Sequence, residues 1–193
     1  MTEELFIKHK GIILDASSVI NLYATGRMPE IVRVLSIRCM VSTYVKEYEA
    51  LAIYEQTGEA NMRRRTPINL QSMIDDGILE NCTHKTSSIM NRIVELARSG
   101  VRGMGEKICA AIAVEYDWAV ALDDHSATSK LNRLIPGMQT ITSLDLLKYW
   151  YEQESITISE LNEALTNLRW RGNYSIPKRH HLFHWAQEHI EAL

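Results

Sequence analysis

Residues 11–22 constrain the fold of this chain more than any other stretch. An apolar run from Ile12 to Leu14 ends in the carboxylate of Asp15, and small hydroxylated residues follow before a helical pattern begins. This order predicts a short buried strand, a tight turn and a helix. Because ligands of open α/β sheets lie beyond the carboxyl ends of the strands, we expect Asp15 at the functional edge of such a sheet.

The alternation of strands and helices continues well beyond the first unit. Further short strands are predicted at residues 37–42, 78–82, 118–122 and 138–141, with helical patterns between them. This pattern predicts an α/β fold of three layers, in which a mainly parallel central sheet lies between helices. After Thr157 the strands stop, so we expect a domain over residues 10–150 and a C-terminal helical extension over residues 151–193.

Several local patterns predict individual elements. The apolar stripe of residues 43–56 is typical of a helix, and residues 177–193 are expected to form a final helix. Residues 61–66 contain three consecutive arginines and are expected to form an exposed basic turn. Thr142 and residues 157–160 match the sequences of helix N-caps.

Composition limits the cellular setting and the partners. The net charge of the 193-residue chain is -3, so no bulk positive field indicates a nucleic-acid partner, although a local basic patch is compatible with this value. Its three cysteines, Cys39, Cys82 and Cys109, are widely spaced, which favours a reducing, cytoplasmic setting. The N-terminus lacks an apolar signal core, and no apolar run approaches ~20 residues, so we expect a protein that is neither secreted nor embedded in a membrane.

Acidic residues lie where predicted strands end or a predicted helix begins. They are Asp15, Glu106, Asp123 and Asp124. A fifth acid follows the second strand, and the sequence offers both Glu47 and Glu49. In a regular helix Glu49 lies about 40° around the axis from the apolar Val45, whereas Glu47 lies about 200° away and faces solvent. Helical geometry therefore favours Glu49.

Carboxylates gathered at the ends of parallel strands repel one another, so such a cluster needs a cation. Oxygen ligands of this kind suit Mg²⁺ or Mn²⁺. One or two such ions can activate water and stabilise the leaving oxygen in phosphodiester hydrolysis. The alternative for each residue alone is structural, because an aspartate after a strand is often a turn former or a helix cap.

Three stretches of the sequence together resemble the PIN-domain ribonucleases. They are Leu14-Asp15-Ala16-Ser17-Ser18-Val19-Ile20-Asn21-Leu22, then Gly105-Glu106 with the alanine-rich helix that follows, then Leu122-Asp123-Asp124. The resemblance covers about residues 10–150. It implies a PIN-like fold, Mg²⁺ or Mn²⁺ at the acidic cluster, and endonucleolytic cleavage of RNA. Many relatives are toxins of bacterial toxin–antitoxin pairs and are often dimers, which implies an antitoxin protein and a homodimer as possible partners.

The resemblance also assigns roles to individual residues. Asp15, Glu106 and Asp123 match the catalytic and metal-binding acids of the family, with Asp124 as a further ligand. Ser17 matches the small polar residue that supports the first acid. The family's acid on the second helix falls on Tyr48 here. Either Glu49 or Glu47 therefore supplies this ligand, or the site has one ligand fewer.

Basic residues are concentrated in two parts of the sequence and are candidates for RNA binding. They are Arg63, Arg64, Arg65, Arg169, Arg171, Lys178 and Arg179. Phosphate contacts from these side chains, with stacking from Trp170 or Tyr174, would suit an RNA substrate. The alternative is a solvated loop and the end of a C-terminal helix.

Two other functions compete with the nuclease hypothesis. A phosphatase of the haloacid dehalogenase type would use Asp15 as a nucleophile, but it requires a second aspartate where this chain has Ser17. A PIN-like module without catalytic activity would bind RNA or a partner protein. The mismatch at Tyr48 keeps this second alternative open.

Overall fold

The computed structural model describes residues 7–56, 62–83 and 85–190, and the fold is organised around its first strand. Within these residues five strands form one parallel sheet in the order β5-β2-β1-β6-β7. The strands of this sheet are β1 (Gly11–Leu14), β2 (Arg38–Ser42), β5 (Glu80–Cys82), β6 (Ala119–Ala121) and β7 (Thr140–Ile141). The predicted α/β architecture with a mainly parallel central sheet is therefore confirmed.

Helices flank this sheet. They are α1 (Ala16–Ala24), α2 (Met28–Val34), α3 (Gln71–Asp75), α4 (Ser87–Arg98), α5 (Met104–Tyr116), α6 (His125–Leu134), α7 (Ser143–Gln153), α8 (Ile158–Trp170) and α9 (Phe183–Ile190). β1 is fully buried between β2 and β6, which is why it is a continuous apolar run rather than an alternating one. Its carboxyl end therefore opens at the middle of the sheet edge.

The segment after β2 differs from the predicted long helix. Residues Val45–Glu49 form a π-helical turn, in which the N–H of Ala50 donates to the carbonyl of Val45 at 2.8 Å. The chain then enters β3 (Ala52–Gln56). The apolar stripe that predicted a helix was misleading, because Tyr48 and Leu51 are 64% and 47% exposed.

The predicted basic turn is also wrong. Residues Arg63–Pro67 form β4, which pairs antiparallel with β3 so that Arg64 lies opposite Glu55 and Arg65 opposite Tyr54. β-branched and aromatic residues in β3 favour this pairing. The arginines are therefore displayed along a strand of a hairpin, where Arg63 and Arg65 share one face and Arg64 lies on the other.

The C-terminal extension packs on the sheet-containing part of the chain. Side chains of α8 and α9, including Leu161, Leu165 and Ala186, belong to the same hydrophobic core as Ile12 and Leu14. α8 contacts α1 and α9. The predicted final helix over residues 177–193 is shorter than expected, since α9 begins only at Phe183 and residues 191–193 lie outside the described part. Turns occupy the residues before it.

Capping boxes fix the starts of α7 and α8. The hydroxyl of Thr142 accepts the N–H of Asp145, and the carboxylate of Asp145 accepts the N–H of Thr142 in return. Thr157 and Glu160 make the same reciprocal pair at the start of α8. Both N-caps were predicted from the sequence and are confirmed.

We expect Thr157→Ala to lower the free energy of unfolding by about 1 kcal/mol, because an orphan N–H of α8 loses its acceptor. Urea denaturation with an unchanged m-value would measure this loss. Ser159→Ala is the matched control, since Ser159 is an exposed residue inside the same helix turn. Its effect should stay within about 0.5 kcal/mol. Equal effects of the two variants would contradict a capping role.

Candidate active site

Asp15 lies at the carboxyl end of the central strand and is 5% exposed. It is the N-cap of α1, and its Oδ2 accepts hydrogen bonds from the Ser17 N–H at 3.3 Å and the Ser17 hydroxyl at 3.0 Å. Its own N–H donates to the carbonyl of Ala121 in β6 at 3.0 Å. Strand pairing therefore fixes the backbone of Asp15, and Ser17 orients its carboxylate.

The π-helical turn directs Glu49, and not Glu47, towards α5. Oε1 of Glu49 accepts the N–H of Gly105 at 3.1 Å, whereas Glu47 is exposed to solvent. A Cβ atom on residue 105 would collide with the carboxylate of Glu49. Glycine at this position therefore allows the carboxylate to lie directly on the first turn of α5. The sequence favoured Glu49 through regular helix geometry, but the widened turn is what determines its direction.

Glu106 is the acid in the first turn of α5, whose N-cap is Gly103. Its side chain is half-buried and accepts a backbone hydrogen bond from Gly103. Burial is the main cause that raises the pKa of Glu106, and the charges of Asp124 and Glu49 raise it further. Glu106 therefore lies close enough to Glu49 and Asp124 for their negative charges to act on it.

Asp123 follows β6 and is held by donors from two helices. Its Oδ1 accepts the Ser143 N–H at 2.8 Å, and its Oδ2 accepts the Ser143 hydroxyl at 2.5 Å, Asn21 Nδ2 at 2.7 Å and the Ser18 hydroxyl at 3.4 Å. The backbone N–H of Asp123 donates to the Ser17 hydroxyl at 3.2 Å. Ser17 therefore links the carboxylate of Asp15 to the backbone of Asp123.

Sequence reasoning did not identify Asn21 and Ser143 as partners of Asp123. The signal for Asn21 was a polar residue on the inward face of α1, since it lies one helical turn after Ser18 and both are buried. Ser143 directly follows the cap residue Thr142 and is also fully buried. A buried polar side chain requires a partner, and Asp123 is that partner for both.

Asp124 has a structural role. It is the N-cap of α6, and its Oδ1 accepts the N–H groups of Ser126 at 2.7 Å and Ala127 at 2.9 Å. Its side chain is exposed. Asp124 thus affects the acidic residues through its charge on Glu106 rather than through a shared hydrogen bond.

Burial raises the pKa of the strand-end carboxyls. The pKa of Asp15 rises from its ordinary 3.8 to about 6, mainly through burial, with a smaller contribution from the charge of Glu49 and an opposing one from the Ser17 hydrogen bonds. Burial also raises the pKa of Asp123, against the lowering effect of Ser143 and Asn21. The site therefore holds acids that burial and like charges make reluctant to ionise.

The residues that best fit a cation are Asp15, Glu49 and Glu106. They offer only oxygen atoms, which is the donor set that Mg²⁺ and Mn²⁺ prefer, and their mutual repulsion would be relieved by a positive charge. As the side chains stand, the described residues contain no group of three or more His, Cys, Asp or Glu side chains that could hold a metal ion. The donor chemistry fits a hard cation, but the carboxylates are not pre-assembled around one point.

The basic residues fall into two groups. Arg63, Arg64, Arg65 and Arg169 are exposed, and the guanidinium of Arg63 lies 5.1 Å from the ring centre of Trp170, which is 51% exposed. We call Arg63, Arg65, Arg169 and Trp170 the hairpin surface. Arg171 differs, because it donates to the Ala24 carbonyl at 3.1 Å and to the Glu55 carboxylate at 3.2 Å. Its guanidinium is thus engaged in packing the hairpin against α1.

The remaining basic residues, Lys178 and Arg179, are exposed in the turns that precede α9. Nearby, the hydroxyl of Tyr174 is buried without a hydrogen-bond partner among the described residues. Burial raises the pKa of Tyr174, and the charges of Asp123 and Asp145 add to this effect. The C-terminal extension therefore reaches the surroundings of Asp123, which the sequence alone did not indicate.

Comparison of the chain with protein-family models, with curated proteins and with solved structures finds no match. Among the helices of the described residues, none combines the length and apolar character needed to cross a membrane.

We expect Asp15→Asn to stabilise the metal-free protein at neutral pH. Because the folded pKa of about 6 exceeds the ordinary 3.8, the carboxyl's contribution to stability is complete below pH 3.8 and is lost as the pH rises through 6. This loss corresponds to roughly 3 kcal/mol, so the variant should gain about 1–3 kcal/mol at pH 7.5. Urea denaturation in EDTA at pH 4 and pH 7.5 measures the gain, which should nearly vanish at pH 4.

The matched control for this prediction is Asp76→Asn. Asp76 is an exposed carboxylate that ends α3, before β5 and thus towards the opposite edge of the sheet. Its effect should stay within about 0.5 kcal/mol at both pH values. A loss of stability for Asp15→Asn at pH 7.5 would contradict the assigned cost of ionising Asp15.

Proposed function

We propose that this protein is a metal-dependent endoribonuclease with a PIN-like fold, which hydrolyses phosphodiester bonds of RNA at the carboxyl edge of its parallel sheet. One observation carries the proposal. The buried Asp15 ends the central strand, and the π-helical turn holds Glu49 at the start of α5, where its charge acts on both Asp15 and Glu106. Acidic residues from separate elements that converge on one sheet edge are typical of a ligand site.

In this proposal Asp15, Glu49 and Glu106 hold Mg²⁺ or Mn²⁺. When bound, the ion supplies Lewis acidity at the phosphodiester. Asp15 is oriented for this task by Ser17, and Glu49 by the N–H of Gly105. Asp123 remains hydrogen-bonded to Ser143 and Asn21 and fixes the turn after β6 relative to α1 and α7. Burial raises the pKa of the half-buried Glu106, and a raised pKa suits a carboxylate that accepts and returns a proton.

RNA would approach along the exposed basic residues. The hairpin surface combines guanidinium groups with an exposed indole, which is the combination that binds single strands through phosphate contact and stacking. The resemblance to PIN-domain ribonucleases adds a homodimer and a role as the toxin of a toxin–antitoxin pair to the proposal, and the widely spaced cysteines add a cytoplasmic setting. An antitoxin protein would then be a further partner.

A second candidate function is a PIN-like module without catalytic activity that binds RNA or a partner protein. Two observations favour it. The hydrogen-bonding capacity of Asp123 is largely taken by Ser143 and Asn21, and the described acids do not form a ready-made metal group. In this case the hairpin surface would bind RNA or the partner protein, while the acids would only stabilise turns.

The deciding experiment compares cleavage of mixed single-stranded RNA by wild type and Asp15→Asn, with Mn²⁺ and with EDTA. We expect Mn²⁺-dependent cleavage by wild type and a loss of at least about 100-fold in the variant, since the central ligand is removed. Asp76→Asn should cleave like wild type. Urea denaturation of Asp15→Asn under the assay conditions shows whether a loss of activity arises from unfolding. Cleavage that persists in EDTA or in Asp15→Asn would sink the proposal, and absent cleavage together with absent Mn²⁺ binding would favour the second candidate.

The pair Glu49→Gln and Glu47→Gln decides which glutamate belongs to the site. We expect Glu49→Gln to weaken Mn²⁺ binding by at least about tenfold. Substituting residues that only hydrogen-bond to metal ligands already lowers metal affinity by about 10–100-fold, and a ligand itself should matter at least as much. Glu47→Gln should change it by less than about twofold, since this side chain faces solvent. Isothermal titration calorimetry with Mn²⁺ measures both. Similar losses in the two variants would show that the π-helical turn does not select the ligand.

A further inference from the structure

A cavity of about 320 Å³ opens beside Asp123. Its walls come from the first turns of α6 and α7 and from residues 177–181, which we call the latch segment. The volume lies at the lower end of the range for small-molecule sites, about 300–1,000 Å³. The C-terminal extension thus closes one side of a cavity that adjoins the acidic edge of the sheet.

The latch segment is fixed by hydrogen bonds to the capping box of α7. Nδ1 of His180 accepts the N–H of Leu182 at 3.1 Å, so Nε2 carries the proton and donates to the Thr142 hydroxyl at 3.0 Å. His181 donates from Nε2 to Oδ1 of Asp145 at 2.6 Å. Burial lowers the pKa of His180, which favours this neutral ring. The wall of the cavity is therefore formed before any ligand arrives.

The cavity presents donors rather than free carboxylates. Asp123 and Asp145 line it, but both already accept hydrogen bonds from neighbouring side chains. Arg179 also lines it, is exposed, and forms no ion pair with the described residues. His125 and Thr128 contribute an imidazole and a hydroxyl from α6. An anionic ligand with polar groups suits this arrangement.

The latch segment also offers an aromatic surface. The rings of His180 and His181 are stacked with their centres 4.6 Å apart. The side chain of His181 is 65% exposed, so the outer ring of the pair is accessible. Imidazole rings are among the side chains on which unpaired RNA bases stack.

We propose that this cavity binds one ribonucleotide unit of an RNA strand, with its phosphate at Arg179 and its base against His181. The proposal rests on the ribonuclease function for the identity of the ligand. It adds a substrate subsite that the C-terminal extension supplies, next to Asp123. The latch segment would then hold the nucleotide that lies beside the cleaved bond.

The test is a calorimetric titration of the full chain with adenosine 5′-monophosphate, ribose 5-phosphate and adenosine in EDTA. Wild type should bind the monophosphate more tightly than either fragment. Arg179→Gln should weaken this binding by about fivefold, the upper end of what a lost exposed charge pair contributes. His181→Asn keeps a donor for Asp145 but removes the ring, so its affinity for the monophosphate should fall to that for ribose 5-phosphate.

The matched control is Arg133→Gln, which removes an exposed guanidinium near the end of α6, outside the cavity. It should change the affinity by less than about twofold. Equal effects of Arg133→Gln and Arg179→Gln, no binding by wild type, or equal binding of the monophosphate and ribose 5-phosphate would each overturn the proposal. EDTA separates this test from cleavage. If the monophosphate binds as expected and RNA is not cleaved with Mn²⁺, the nuclease function fails and the cavity remains a nucleotide site.

Discussion

The structure depends on burying a carboxylate at the end of its central strand. Two contacts keep Asp15 buried, because its N–H donates to the Ala121 carbonyl in β6 and its side chain caps α1. Burial penalises the charged form, and the hydrogen bonds from Ser17, with a backbone hydrogen bond from Ala16, oppose this penalty. The fold thus maintains an acid whose ionisation is unfavourable until a positive charge approaches.

Hydrogen bonds connect the surroundings of Asp15 to distant parts of the chain. Ser17 also accepts the backbone N–H of Asp123, so the turns after β1 and β6 are joined. Asp123 in turn binds Asn21 on α1 and Ser143 on α7. The capping box beside Ser143 anchors the latch segment through Thr142. Hydrogen bonds, together with the peptide link between Thr142 and Ser143, therefore connect the central strand to the C-terminal extension.

The sequence predicted those elements whose signals are local. Continuous apolar runs marked the fully buried strands β1 and β6, and Thr142 and Thr157 marked helix starts because capping depends on residues three positions apart. The π-helical turn was missed since its extra residue, seen in the Ala50–Val45 hydrogen bond, has no compositional signature. The β3–β4 hairpin was missed because residues 43–56 carry apolar residues at helical spacing. Two of these, Tyr48 and Leu51, are exposed in the structure and do not form a buried helix face.

The candidate site shows the same division. Asp15, Glu106 and Asp123 were identified because a strand end or a helix start fixes the position of each. Glu49 was favoured over Glu47 from the geometry of a regular helix, whereas the structure directs Glu49 towards α5 by a wider turn. The cavity could not be predicted, because it joins residues 122–145 to residues 177–181 through contacts that no periodicity encodes.

Local rules are broken repeatedly around one point, and this favours a functional site over a set of turn formers. Burial leaves Asp15 with a raised pKa. A π-helical turn stands between β2 and β3 and directs Glu49 towards α5, and glycine occupies residue 105 of α5 where a Cβ atom would displace that carboxylate. Each choice costs stability relative to the regular alternative. A module that used these acids only as caps would be served by exposed aspartates such as Asp124, which caps α6 without being buried. Departures from local consistency concentrate where a ligand compensates for them, and a divalent cation is the ligand whose charge and oxygen preference would offset all of these costs together.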